Sequence, residues 1–322
     1  MSTRTVALLG AALLLTACGG GGQIGDTGGT GDSKKMVLIP GVAAEPFYIS
    51  MECGFREAAK AKGYEVDVQA PAKFESTLQT PIVTGVLANK PGAVLIAPTD
   101  DKAMAGPMKQ LKDAGIKVVE VDTKLEDTSV AVSTISSDNE QGGQLAAQTL
   151  AKLVGDKPGS VLVLNTKAGT STTDARAKGF EDEIKKFPNL KYVGQQYTDN
   201  EPDQAASKLT ATLAANPDLI GVFATNLNTG EGAATGLRNA GRTGAVNLVG
   251  FDASPKQVED LRAGVVQALI AQDPATIGKN GVEQAIAALE GGTVERDIQT
   301  ELVALTKADM AANEKYFYKQ KC

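Results

Sequence analysis

Short apolar runs and longer amphipathic segments alternate along the chain from residue 36 onward. The runs MVLI (36–39), EVDVQA (65–70), AVLIA (93–97), KVVEV (117–121) and SVLVLN (160–165) have the length and β-branched content of strands. So do YVGQQY (192–197), IGVFA (220–224), VNLVGF (246–251) and VVQALIA (265–271). Between them, segments such as 55–62, 140–153, 175–186, 204–215 and 275–289 repeat their apolar residues at helical spacing. Gly63, Gly115 and Gly241 fall where a helix must stop and turn into the next strand. Runs that are apolar on both faces, alternating with helices, predict parallel sheets covered by helices on both sides, an α/β architecture.

The pattern occurs twice. LANKPGAVLIAPTD…LKDAGIKVVEVD begins at Leu87, and LAANPDLIGVFATN…LRNAGRTGAVNLVGFD begins at Leu213. Asn89 then corresponds to Asn216, Leu111 to Leu237, Gly115 to Gly241 and Asp122 to Asp252. Two similar lobes therefore each supply a strand that stops on a carboxylate. A charge at the end of an apolar run is costly unless something pairs with it. Ligands of open parallel sheets sit beyond the carboxyl ends of the strands, so facing lobes would put Asp122 and Asp252 on opposite lips of one cleft.

Composition narrows the chemistry. The 322 residues suffice for two domains, 42% apolar and 22% charged content is ordinary for a globular protein, and the net charge of −6 argues against a nucleic-acid partner. Histidine is absent, which removes His general bases and His metal sites. No metal ligand set and no cofactor motif is expected: GTSTT lacks the spacing of a phosphate loop, and no GxGxxG follows a strand.

The first 18 residues, MSTRTVALLGAALLLTAC, carry one early positive charge, a short apolar stretch and small residues before Cys18. This is the pattern of a secretory signal peptide, 1–17, and is too short to span a membrane. LTAC resembles the bacterial lipobox, which implies cleavage before Cys18 and its lipidation. The Gly-rich segment that follows, 18–35, reads as a flexible tether with a reach of roughly 20–25 Å. The body is thus expected outside the cytoplasm, lipid-anchored to the outer face of a bacterial membrane. Of the remaining cysteines, Cys53 and Cys322 are either a disulfide or two unrelated thiols.

Polar residues gather at the ends of the other strands. Arg176 lies in the first turns after SVLVLN, Thr225-Asn226 follow IGVFA, Gln272 follows VVQALIA, and Glu45, Phe47 and Tyr48 follow the first strand. Carboxylates accept from hydroxyls, a guanidinium donates a rigid fork, and aromatic faces cover C–H patches. A small, neutral, polyhydroxylated ligand matches all three.

The stretches PFY (46–48), GFREAAKAKGY, PTD (98–100), ISSDNEQGGQLAA (135–147), GTSTTDARAKGF (169–180), VGFDASP (249–255) and IAQDPATIGKNGVE (270–283) occur in the order of a known family. Over residues 36 to about 307 the chain resembles the ribose-binding family of ABC-importer sugar receptors, with the type I periplasmic binding protein fold. The resemblance implies a sugar site of Glu45, Phe47, Tyr48, Asp122, Thr123, Arg176, Asn200, Asn226, Asp252 and Gln272. Glu45 stands where the family has Asn, Thr123 where it has Arg, and Asn200 where it has Phe. Loss of one stacking face and one cation, with gain of one acid, argues against D-ribose and for another pentose or a pentitol.

The resemblance also implies two lobes, 36–137 with 273–301 and 138–272 with 302–322. Three crossings near Ser137, Gln272 and Glu301 would form a hinge that closes on ligand, and the closed monomer would be presented to a membrane permease. Three rivals differ in class. Asp122 and Asp252 could serve as acid and base of a glycoside hydrolase, although Arg176 in the same cleft would oppose the raised acid pKa that chemistry needs. A transcriptional regulator of this fold would carry a DNA-binding segment where this chain has an export signal. A sensory receptor for a chemotaxis or kinase partner would bind sugar in the same way.

Overall fold

The computed structural model describes residues 32–322; the signal peptide, Cys18 and most of the expected tether lie outside that range. Among the described residues, twelve strands follow in chain order. They are β1 (Asp32–Ile39), β2 (Glu65–Val68), β3 (Pro91–Ile96), β4 (Lys117–Val121), β5 (Ser133–Ser137) and β6 (Gly159–Asn165), then β7 (Leu190–Tyr197), β8 (Leu219–Ala224), β9 (Asn247–Phe251), β10 (Ala268–Ala271), β11 (Asp297–Thr300) and β12 (Val303–Thr306). Strand β1 opens at Asp32, four residues inside the segment read as tether.

The strands form two six-stranded sheets of identical order, β2-β1-β3-β4-β5-β11 and β7-β6-β8-β9-β10-β12. Both are parallel except that β12 pairs antiparallel with β10. The sequence repeat is therefore a fold repeat, with β1–β5 mirrored by β6–β10. Strand β3 is buried at every position, as a sheet covered on both faces requires.

Among the described residues, nine α-helices cover the sheets: α1 (Pro46–Ala61), α2 (Ser76–Asn89), α3 (Ala105–Asp113), α4 (Asn139–Val154), α5 (Ser171–Ile184), α6 (Pro202–Ala215), α7 (Leu227–Asn239), α8 (Pro255–Ala263) and α9 (Pro274–Glu290). Helix α1 starts nine residues before the expected Phe55, because Pro46 occupies the first turn, where its missing N–H is harmless. Phe47 and Tyr48 consequently ride on the helix.

Three strands were not visible in the hydrophobic pattern. STISS of β5 has one apolar residue, and DIQT of β11 and VALT of β12 are short edge strands. All three adjoin the crossings between the sheets, which fall between β5 and α4, between β10 and α9, and between β11 and β12. Side chains tie the three together: Ser137 Oγ donates to Gln272 Oε1 at 2.8 Å and lies 3.3 Å from Thr300 Oγ1. Hydroxyls stand where a strand core would place aliphatic groups because this is a buried polar hinge.

Candidate ligand-binding cleft

The two duplicated carboxylates share one local geometry. Asp122 follows β4 with φ 66°, and Asp252 follows β9 with φ 78°. The N–H of each donates at 2.8 Å to a carbonyl of the neighbouring strand, Ile135 for Asp122 and Ile270 for Asp252. The left-handed conformation costs an L-residue roughly 1–2 kcal/mol, and Asp and Asn tolerate it best. Such strain persists where it aims a side chain. Here it turns both carboxylates toward the space between the lobes.

That space is a small cavity, partly open to solvent, and all ten residues implied by the resemblance line it. Glu45, Phe47 and Tyr48 come from the β1–α1 junction and the first turn of α1, and Asp122 and Thr123 from the end of β4. Arg176 comes from α5, Asn200 from the loop after β7, Asn226 from the loop after β8, Asp252 from the end of β9 and Gln272 from the end of β10. Phe74, Thr166, Thr170, Thr172 and Thr173 line it as well and were not anticipated. The threonines lie around the TKAGTSTT stretch, which reads as a generic polar helix start, and no periodicity marks Phe74.

Arg176 is 2% exposed and built in from three sides. Its Nε donates to Asn139 Oδ1 and its Nη1 to the Thr225 carbonyl, each at 2.9 Å, and the guanidinium stacks 3.7 Å above the Phe251 ring. Close helix contact puts it there. A Cβ on Gly143 of α4 would lie 2.0 Å from the Arg176 carbonyl oxygen, and one on Gly179 of α5 would lie 2.1 Å from that of Glu140. Only glycine lets α4 and α5 approach this far. Nη2 of Arg176 is left with no partner, as is Oγ1 of buried Thr170. A buried donor without a partner costs about 1–3 kcal/mol, so both groups await an acceptor in the cavity.

The two acids are held unequally. Asp252 accepts at Oδ2 from the Leu227 N–H (2.8 Å) and at Oδ1 from Gln272 Nε2 (2.7 Å) and the Tyr318 hydroxyl (2.8 Å). Asp122 accepts from the Tyr48 hydroxyl alone, at 2.9 Å. Asn226 caps α7 and donates to Asn200 Oδ1 at 2.6 Å. Thr123 donates its hydroxyl to the Pro98 carbonyl at 2.8 Å.

Three carboxylates face one guanidinium here. Burial, reinforced by Asp252 and Asp122, pushes the Glu45 carboxyl up to about 8. Burial raises Asp122 to about 6 against the opposing pull of Arg176 and of the Tyr48 hydrogen bond. Desolvation in turn lowers the Arg176 guanidinium from its usual value.

The lobes meet across the cleft. Asn228 Nδ2 donates to Glu45 Oε2 at 3.0 Å, the Lys124 N–H to Ser171 Oγ at 2.9 Å, and the Asp101 N–H to the Gly169 carbonyl at 3.0 Å. Lys73 and Glu201 pair at 2.9 Å on the rim. The structure is thus the closed form. Cys53 of α1 and Cys322 are joined by a disulfide with Cα atoms 5.3 Å apart. Among the described residues, no cluster of His, Cys, Asp and Glu could hold a metal ion, and no helix is long and apolar enough to cross a membrane.

Comparison with known proteins gives a consistent result. The periplasmic binding protein domain matches residues 36–293. The ribose import binding protein of Escherichia coli K12 is 31% identical over 276 residues, which is 84% of this chain and 90% of that protein. An ABC transporter solute-binding protein from Agrobacterium vitis, solved bound with α-D-tagatopyranose, superimposes with a TM-score of 0.86 at 40% identity, covering 88% of this chain and 99% of that one. A carbohydrate transporter solute-binding protein from Agrobacterium radiobacter, in complex with D-arabinose, gives 0.83 at 28% identity, over 87% and 97% of the two chains.

Proposed function

Since the chain belongs to the periplasmic binding protein family, we propose that its cleft captures a small neutral monosaccharide outside the cytoplasm and delivers it to the permease of an ABC importer. The observation that carries this reading is the convergence of Asp122, Asp252 and the unpartnered donor edge of Arg176 on one cavity between duplicated lobes. Sugar hydroxyls both donate and accept, so one neutral molecule satisfies carboxylates and guanidinium together. Each charge-assisted bond contributes about 1.5–3 kcal/mol in such a site. Closure then follows from differential affinity: the ligand joins groups of both lobes only when the cleft is shut.

The chain is a binding protein rather than a hydrolase. Its relatives are sugar-binding transport proteins, and Asp252, bound by three protein donors, is built to stay a fixed acceptor. Within the sugar class, the acid at Glu45 and the loss of a stacking face at Asn200 favour a pentose or pentitol, whose hydroxyls need many partners. The second reading, a pyranose sugar, is favoured by the 40% identical neighbour bound with α-D-tagatopyranose. Export through residues 1–17, lipidation at Cys18 and action as a monomer complete the proposal. Intact mass of the membrane-extracted protein, with Cys18 N-terminal and diacylated, tests the anchor.

A thermal-shift screen of pentoses, pentitols and hexoses, followed by calorimetry, tests the function. A ligand at 100 times its Kd stabilises the folded protein by about 2.7 kcal/mol. One or a few monosaccharides or polyols should raise the melting temperature. Turnover of a chromogenic glycoside, or no response to any sugar, would overturn the reading.

A further inference from the structure

The last residues of the chain form a strap between the lobes. A 3₁₀ turn, Met310–Tyr316, follows β12, and the tail then leaves the second lobe and ends on the first. The Tyr318 N–H donates to the Ala253 carbonyl at 3.0 Å, one residue after the ligand-facing Asp252. The next N–H, of Lys319, donates to Ser50 Oγ of α1 at 2.7 Å, and three residues later Cys322 is bonded to Cys53 of the same helix. From Tyr318 to Cys322 the chain can span at most roughly 14 Å, so the disulfide is a short fourth link across the hinge.

Beyond the 3₁₀ turn, Tyr318 is the buried group of this strap. It is 5% exposed, whereas residues 319–322 are all exposed. Its ring packs edge-on against Phe47 with centroids 5.7 Å apart. Its hydroxyl donates to Asp252 Oδ1 at 2.8 Å and accepts from the Gln272 N–H at 3.3 Å. Gln272 is itself joined to Asp252 and, through Ser137, to the third crossing at Thr300. The hydroxyl thus sits where the hinge network meets the ligand-facing acid, without lining the cavity itself. Two backbone hydrogen bonds are little to hold an exposed terminal segment, and such segments fray unless tied down.

We propose that Tyr318 is a positioning residue for Asp252, and that the Cys53–Cys322 disulfide is what keeps it there. The role rests on the sugar-binding reading of the cleft. Removing the hydroxyl leaves Asp252 held only by the Leu227 N–H and Gln272 Nε2 and loosens the orientation in which it meets the ligand. Opening the disulfide withdraws the whole ring.

The test compares Tyr318→Phe, Cys53→Ser/Cys322→Ser and the triple variant by calorimetry with the tightest sugar of the screen. Y318F keeps the disulfide and the ring, so its fold is retained. It should bind on the order of tenfold more weakly, with the loss in the off-rate. The double serine variant should lose as much, and adding Y318F to it should cost nothing more. Wild-type protein treated with dithiothreitol serves in its place if that variant fails to fold. Wild-type affinity in Y318F overturns the positioning role. A full tenfold loss from Y318F in the serine background overturns the role of the disulfide.

Alkaline titration of tyrosine absorbance in ligand-free protein supplies a readout independent of sugar. Burial next to Asp252 holds the Tyr318 hydroxyl well above the usual tyrosine range. Opening the disulfide should add one tyrosine titrating in the ordinary range, and that tyrosine should be missing from the triple variant. If no sugar binds, the functional reading fails, while this titration still decides whether the strap holds Tyr318.

Discussion

Replacing Glu45 by Gln should flatten the pH dependence of sugar binding. In the open cleft Glu45 faces water and keeps an ordinary carboxyl value, near 4.5; closure buries it beside Asp252 and Asp122 and raises it to about 8. An acid whose pKa rises on closure binds its proton more tightly in the closed state. Closure is therefore unopposed below about pH 4.5 and becomes steadily harder up to pH 8. Above that it is flat. Each pH unit in this window is worth up to 1.36 kcal/mol, or a factor of ten. From pH 6.5 to 8 the wild-type affinity should fall by up to roughly 16-fold, because the slope flattens as pH 8 is reached. This is an upper limit, because Glu45 is only half-buried and keeps some contact with water. Asp122, raised to about 6, acts mainly below this range and leaves the window to Glu45. Calorimetry in buffers of different ionisation enthalpy should detect the uptake of up to one proton per sugar bound at pH 7. E45Q keeps an oxygen for Asn228 but no titrating proton, so both the slope and the uptake should disappear. Equal slopes in the two proteins, or no proton uptake by the wild type, would refute the reasoning.

Three other substitutions separate the parts of the site. Asp252→Asn preserves a left-handed backbone that Asn tolerates but removes the charge, and calorimetry should show sugar affinity falling on the order of 100-fold. Asp122→Asn can keep its single protein hydrogen bond, from Tyr48, at the amide oxygen and should show the smaller loss in the same assay. Arg176→Lys keeps the charge but cannot reach Asn139, Thr225 and the cavity at once, so a loss of roughly tenfold or more is expected, together with a lower ligand-free melting temperature because buried acceptors lose their donors. Gly143→Ala should destabilise the folded protein by about 1–3 kcal/mol in a urea titration, because the new methyl group forces α4 away from the Arg176 backbone.

How much of this could be read from sequence followed burial. Strands such as AVLIA and SVLVLN announce themselves because parallel strands covered on both faces need continuous apolar runs. STISS does not, because Ser137 serves the hinge, and DIQT and VALT do not, because edge strands bury little. Asp122 and Asp252 were legible through their duplication. Glu45 was legible from its place after the first strand, whereas Thr123 and Asn200 came from the family resemblance, since a loop residue carries no periodic signal of its own. The threonines around TKAGTSTT looked like a generic helix start, and Phe74 approaches the cavity from a loop distant in sequence. Tyr318 was beyond reach for a different reason: one of three adjacent aromatics near a terminus, it gains meaning only when the tail folds back over the hinge.

The unequal anchoring of the paired acids implies an order of capture. Asp252 is immobilised by three donors before any guest arrives, whereas Asp122 leans on Tyr48 alone. A molecule entering the gaping cleft meets a finished surface on one side and an adjustable one on the other. It docks first where no reorganisation is needed, and the second wall moulds to it during closure. Selectivity among stereoisomers can accordingly be retuned by substitutions on the adjustable wall, with the preset one left untouched.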